Sequence, residues 1–283
     1  MSRVFITECP RDAMQGIKSF IPTAQKIHYL QSLLRVGFDV LDFGSFVSPK
    51  AVPQMRDTHQ VISSLDLSET KTKLLAIVAN VRGAEQALGY NQIDFLGYPF
   101  SISENFQMRN TNRTIAESID VVREISNLAK QQNKELVVYL SMGFGNPYGD
   151  PWSTTLVSDW ITKISALGVN RILLSDTVGM ASSQRIKNLF SYLIPAHSGI
   201  QLGAHLHAKP HEAVEKIKAA FLGGCRNFDG AIRGLGGCPM AKDELTGNVP
   251  TEKLLSFIAR ENLETNVNNL HFESAFNNSI SIF

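Results

Sequence analysis

The chain has 283 residues, 43% of them hydrophobic and 19% charged, the composition of a soluble globular protein long enough to bury a large core. With 27 basic residues against 26 acidic and a formal net charge of +1, it has no general pull toward nucleic acid or an anionic membrane, so any bound anion is held locally. No apolar run approaches the roughly 20 residues of a membrane-spanning helix. Strand-like sequence starts directly after Met1 and Ser2, which predicts no leader and a cytoplasmic address; Cys9, Cys225 and Cys238 are too sparse for a disulfide framework.

The first predicted strand, residues 4–7, runs into Glu8-Cys9-Pro10-Arg11-Asp12. There proline stops the strand and hands an arginine and a carboxylate to a loop. Taken alone, such a pair is ordinarily solvated charge. Pro22-Thr23-Ala24 opens a helix with Ile27, Leu30, Leu33 and Leu34 on one face, ended by Gly37. The second strand, residues 39–42, leads into Asp42-Phe43-Gly44-Ser45-Phe46, and residues 74–78 and 93–96 are the third and fourth. Ile115, Ile119, Val122 and Ile125 make a helical stripe before the fifth strand, residues 136–140.

A helix carrying Val157, Ile161 and Ile164 precedes the sixth strand, residues 171–174, which passes into Ser175-Asp176-Thr177-Val178-Gly179. A strand-end carboxylate such as Asp42 or Asp176 is a candidate acid, base or support for a reacting group, or simply a helix cap. Ile186 and Leu189 mark a helix stopped by Pro195, and the seventh strand, residues 200–204, ends in His205-Leu206-His207. Residues two apart on a strand face the same side, so the two imidazoles share one space, as ligands of one metal must. Hydrogen-bonded core histidines are the alternative. After a helix with Val214, Ile217 and Phe221 comes the eighth strand, residues 227–230, and then Gly234-Leu235-Gly236-Gly237-Cys238-Pro239. This glycine-rich loop fits neither a Walker A loop nor a dinucleotide fingerprint. Asn248 offers an amide oxygen near the start of the last barrel helix, where N-capping is the simple reading.

Eight strands alternating with helices, without a linker or charge block, predict an α/β protein with a (β/α)8 (TIM) barrel more readily than an open doubly wound sheet. We expect a catalytic barrel over residues 1–260 and a tail over 261–283 that is either a short helix or loose.

PRDAMQ from Pro10, SFVSPKAVPQM from Ser45, SDTVGM from Ser175, the His205-x-His207 pair and GLGGCP followed by Gly247-Asn248 together resemble the 3-hydroxy-3-methylglutaryl-CoA lyases. The likeness covers about residues 3 to 260 and lies within the wider group of metal-dependent barrel lyases and Claisen-type synthases. It implies metal ligands at Asp12, His205, His207 and Asn248, an oxygen and nitrogen set suited to Mg²⁺ or Mn²⁺. It also implies retro-Claisen cleavage of an acyl-CoA, as in leucine breakdown, giving acetoacetate and acetyl-CoA. In that reaction Asp12 or His205 is the base, Arg11 stabilises the thioester enolate, and Cys238 protonates the departing acetyl carbon. Asp42 joins the catalytic set, and Arg11, Gln15, Lys50 and Asp176 contact substrate. A homodimer is expected by family analogy.

Three positions depart from the family. Asp42 replaces the usual glutamate; Glu8 stands one place after the usual position, now Thr7, which turns it to the other strand face; and Ala208-Lys209 replaces an Asp-Thr pair behind the second histidine. Rival expectations are a related lyase or aldolase acting on another hydroxyacyl-CoA or a 4-hydroxy-2-oxo acid, and a catalytically inactive barrel that binds metal or acyl-CoA.

Overall fold

The structure is a computed structural model that describes residues 3–237 and 246–283. Eight parallel strands close into a barrel in chain order: β1 (Phe5–Glu8), β2 (Val40–Ser45), β3 (Lys73–Ile77), β4 (Ile93–Ser101), β5 (Glu135–Ser141), β6 (Arg171–Asp176), β7 (Gln201–Leu206) and β8 (Asn227–Gly230). β8 pairs back onto β1, with Thr7 beside Asp229. All eight expected strands are present, and the barrel expectation holds.

The helices are α1 (Pro10–Gln15), α2 (Thr23–Leu34), α3 (Thr58–Ser64), α4 (Val81–Leu88), α5 (Glu104–Thr111), α6 (Ile115–Gln131), α7 (Thr154–Ser165), α8 (Ser183–Ala196), α9 (Ala213–Leu222), α10 (Thr251–Arg260) and α11 (Asn269–Asn278). Two prolines behave differently from the expectation. Pro10 opens a short helix instead of a loop, at the position where its missing N–H costs nothing. Pro195 lies inside the last turn of α8 instead of following it.

Strand alternation divides the core in two. Leu74, Ala76, Leu136, Val138, Leu140, Ile172, Leu174, Leu202 and Ala204 point outward into the layer shared with the helices. Val40, Leu75, Ile77, Phe95, Val137, Tyr139 and Leu173 fill the barrel interior as a separate cluster. This parity decides which strand-end side chains face the mouth of the barrel and which face the helices.

The tail is a helix packed on the barrel's flank. In α11 Phe272 meets Phe38 edge-on with ring centroids 6.5 Å apart, and Phe283 meets Tyr29 at 5.9 Å. Among the described residues no helix is long and apolar enough to cross a membrane.

Candidate active site

A cavity of about 190 Å³ opens at the C-terminal ends of the strands, lined by Arg11, Asp12, Gln15, Ser175, His205 and His207 among others. A larger depression of about 860 Å³ lies at the opposite end of the barrel and contains none of the expected catalytic groups. In this fold chemistry belongs to the C-terminal face.

α1 begins as soon as β1 ends, so its first turn carries Arg11 and Asp12 over the mouth. Both side chains are buried. Arg11 Nε lies 3.1 Å from each oxygen of Asp42 and Nη2 lies 2.5 Å from Oδ2, a forked pairing. Nη1 donates to Asp12 Oδ1 at 3.1 Å and to Gln15 Oε1 at 2.9 Å, and Gln15 Nε2 donates to Asp12 Oδ1 at 2.5 Å. Of the five guanidinium hydrogens, one on Nη2 is left for the cavity. Asp12 Oδ2 accepts from Asn248 Nδ2 at 2.5 Å, and Asn248 also donates to the Leu235 carbonyl at 2.8 Å. Its amide oxygen is therefore the atom left for a ligand. Asn248 caps no helix, since α10 starts at Thr251 after Pro250.

His205 Nδ1 lies 2.9 Å from Asp229 Oδ2, and His207 Nδ1 lies 2.7 Å from the Thr246 carbonyl. Both partners can only accept, so each Nδ1 carries a proton and each Nε2 is turned inward. The two Nε2 atoms lie 3.3 Å apart. The ring of His207 is thus oriented by a backbone carbonyl.

One donor atom each from Asp12, His205 and His207 lie within 4.8 Å of one another, all on buried residues. Two facing imidazole lone pairs beside a carboxylate fit a divalent cation, with the Asn248 oxygen as a fourth donor. A second group, Cys9, His205 and Asp229, meets the same distance. Neither Cys9 nor Asp229 lines the cavity; Asp229 instead orients His205 from behind.

The charges follow from this packing. Burial works to raise the Asp12 pKa, yet Arg11, both imidazoles and the Asn248 hydrogen bond outweigh it and bring it down to about 2. Burial raises Asp42 to about 6 despite Arg11. Burial opposes protonation of His205, but the hydrogen bond and charge of Asp229 raise its pKa; burial, then the neighbouring His205, lower that of His207.

Other expectations fare differently. Asp176 continues the outward parity of Ile172 and Leu174; it accepts from the Ala181 N–H at 3.2 Å and from Lys216 at 2.9 Å and is absent from the cavity wall. The structure gives it a bracing contact in place of the expected contact with substrate. Lys50 is exposed in the turn after β2 and also does not reach the cavity. Glu8, turned to the outer strand face, accepts from Ile232 N–H at 2.8 Å and Thr251 Oγ1 at 2.5 Å. Cys238 lies outside the described residues.

Three groups escaped the sequence reading. Asp229 supports His205, and the buried hydroxyls of Ser175 and Tyr139 face the cavity without a hydrogen-bond partner among the described residues. Inward parity on β6 and β8 was the signal for Ser175 and Asp229.

Known proteins resemble this chain over most of its length. A bacterial hydroxymethylglutaryl-CoA lyase from Bacillus subtilis is 31% identical over 260 residues, covering 91% of this chain and 85% of the relative. A 3-hydroxy-3-isohexenylglutaryl-CoA/hydroxy-methylglutaryl-CoA lyase of Pseudomonas aeruginosa is also 31% identical, over 261 residues, with the same coverage of 91% and 85%. The structure of an HMG-CoA lyase from Acinetobacter baumannii, in complex with coenzyme A and 3-methylmalate, superposes with a TM-score of 0.91 at 28% identity, covering 99% of this chain and 91% of that one. A family model described as HMGL-like matches residues 4–277, and the chain belongs to that family.

Proposed function

We propose that this lyase cleaves 3-hydroxy-3-methylglutaryl-CoA to acetoacetate and acetyl-CoA. The observation that carries the proposal is the convergence of Arg11, Asp12, His205 and His207 on one cavity at the catalytic end of the barrel. The named relatives supply the substrate. Asp12, His207 and Asn248 would hold a divalent cation, Mg²⁺ or Mn²⁺, with the Nε2 lone pair of His205 directed at the same point. Such a cation supplies Lewis acidity that makes the tertiary hydroxyl easier to deprotonate.

The chain's own groups divide the remaining work. Asp12 would hold the cation through one carboxylate oxygen and take the hydroxyl proton on the other. His205, its Nδ1 proton held by Asp229, keeps its Nε2 lone pair for the cation. The hydroxyl oxygen becomes the ketone of acetoacetate as the adjacent carbon–carbon bond breaks, and the electron pair passes into the thioester as an enolate. The free Nη2 hydrogen of Arg11 donates to that oxyanion. Cys238 delivers a proton to the enolate carbon, completing the acetyl group, and the glycine loop that carries it keeps water away. Ser175 and Tyr139 offer hydroxyls to the bound acyl chain.

The test is the purified protein with Mg²⁺ or Mn²⁺ and 3-hydroxy-3-methylglutaryl-CoA, followed for acetoacetate, with longer branched hydroxyacyl-CoAs and 4-hydroxy-2-oxo acids in parallel. Metal-dependent acetoacetate from the first substrate is expected. Its absence overturns the proposal, and turnover of another substrate in its place identifies the rival reading.

A further inference from the structure

Lys216 sits on α9, outside the barrel wall, and is only 4% exposed. A buried ammonium needs a full set of partners, because an unpaired charge away from water is strongly disfavoured. Its three donors are all engaged: Asp176 Oδ2 at 2.9 Å, the Gly179 carbonyl at 2.8 Å and the His207 carbonyl at 3.0 Å. These acceptors belong to two separate segments. Asp176 and Gly179 come from the end of β6 and the turn after it, whereas His207 follows β7.

The same turn is pressed against His207 from another side. Gly179 has a φ of +71°, and a Cβ placed there would meet Thr246 Cγ2 at 2.7 Å and the His207 carbonyl at 3.3 Å. Thr246 is the residue whose carbonyl accepts from His207 Nδ1. Lys216 therefore anchors the backbone of His207 while Thr246 anchors its ring, and the Asp176 turn lies between them.

We infer that Lys216 is a positioning residue for the divalent-cation site: with Asp176 it ties the β6 turn to the end of β7 and fixes the backbone from which His207 presents Nε2. The inference rests on reading Asp12, His205, His207 and Asn248 as that site. Lys216 touches neither cation nor substrate; it acts through the His207 carbonyl. Groups that orient a metal ligand typically change affinity about 10- to 100-fold when removed.

The test measures Mn²⁺ binding by the substrate-free protein, by electron paramagnetic resonance or titration calorimetry. The variants are Lys216→Met and the double variant Lys216→Met/Asp176→Asn, which leaves no uncompensated buried charge should the single variant fail to fold. Folding is checked by circular dichroism and thermal melting. The expected result is Mn²⁺ affinity weakened about 10- to 100-fold in the folded variants, with kcat reduced more than KM is raised at saturating Mn²⁺. A folded variant that melts at a lower temperature but binds Mn²⁺ like wild type shows a purely structural lysine and overturns the inference. Asp12→Asn is the control. If it binds Mn²⁺ as wild type does, the cation-site reading itself fails; if it loses binding while the Lys216 variants keep it, only the positioning inference fails.

Discussion

His205 and Asp229 meet behind the cavity, Nδ1 to Oδ2 at 2.9 Å, so the carboxylate fixes which imidazole nitrogen faces the cavity. An asparagine at 229 could instead present its amide N–H to Nδ1, placing the ring proton on Nε2 and removing the inward lone pair. Asp229→Asn is therefore expected to fold normally but bind Mn²⁺ about 10- to 100-fold more weakly, with a matching loss of turnover. Calorimetric titration of the folded variant checks this; wild-type affinity would show that Asp229 does not set the tautomer.

Arg11 is held by Asp42, Asp12 and Gln15, so it is preorganised before substrate arrives. In the proposed reaction its contribution falls on the charge that develops as the bond breaks. Arg11→Met is expected to lower kcat by about 10²- to 10³-fold while KM changes little. Steady-state acetoacetate formation separates the two parameters. A rise in KM with kcat preserved would make Arg11 a binding group only.

Cys238 is assigned the last proton transfer by resemblance to the family. Cys238→Ser is expected to retain Mn²⁺ and substrate binding and to lose most turnover, because the hydroxyl is a far weaker acid than the thiol. Single-turnover kinetics beside a Mn²⁺ titration provide the check, and wild-type turnover removes Cys238 from the mechanism.

The eight strands were legible because their short apolar runs are what a closed parallel barrel demands, and Arg11, Asp12, His205 and His207 were legible as polar residues at strand ends. The expected contact of Asp176 with substrate rests on the family resemblance and its place at a strand end. The alternation along β6 turns it outward with Ile172 and Leu174 and turns its neighbour Ser175 inward. Asp229 carried the same inward signal on β8. Lys216 gave no signal at all, since a lysine in a helix reads as solvated, and only the packing of α9 against the β6 turn shows it buried. The partner of His207 was equally hidden, because a backbone carbonyl leaves no mark in a sequence.

Glu8 offers a pH test away from the cavity. Burial raises its pKa from 4.5 to about 8, against hydrogen bonds from Thr251 and Ile232. The native state therefore binds one proton more than the unfolded chain between those values, and the stability contributed by Glu8 is full below the lower one. It falls as pH rises and is gone once pH passes the folded value. Urea unfolding from about pH 5 to about pH 8 is expected to show wild type losing stability relative to Glu8→Gln, which cannot titrate. Parallel pH curves for the two proteins would place the Glu8 pKa near its ordinary value.

Gly236 connects the glycine-rich loop to the ligand set through space instead of chemistry. Its φ is +99°, a conformation that side chains disfavour, and an added Cβ would lie 2.6 Å from Asn248 Nδ2 and 2.9 Å from both the carbonyl and Oδ2 of Asp12. Asn248 Nδ2 and Asp12 Oδ2 form the hydrogen bond that joins two of the proposed ligands. A methyl group at 236 must therefore displace Asp12, Asn248 or the loop itself, and the first two are held by Arg11, Gln15 and the Leu235 carbonyl. Gly236→Ala is expected to weaken Mn²⁺ binding at least about 10-fold, the effect of disturbing a ligand's support, and to lower melting temperature only slightly, because the barrel core lies below this layer. Mn²⁺ titration with thermal melting measures both. Unchanged affinity would mean that the loop yields while the ligands stay fixed, and that the glycine serves the turn alone.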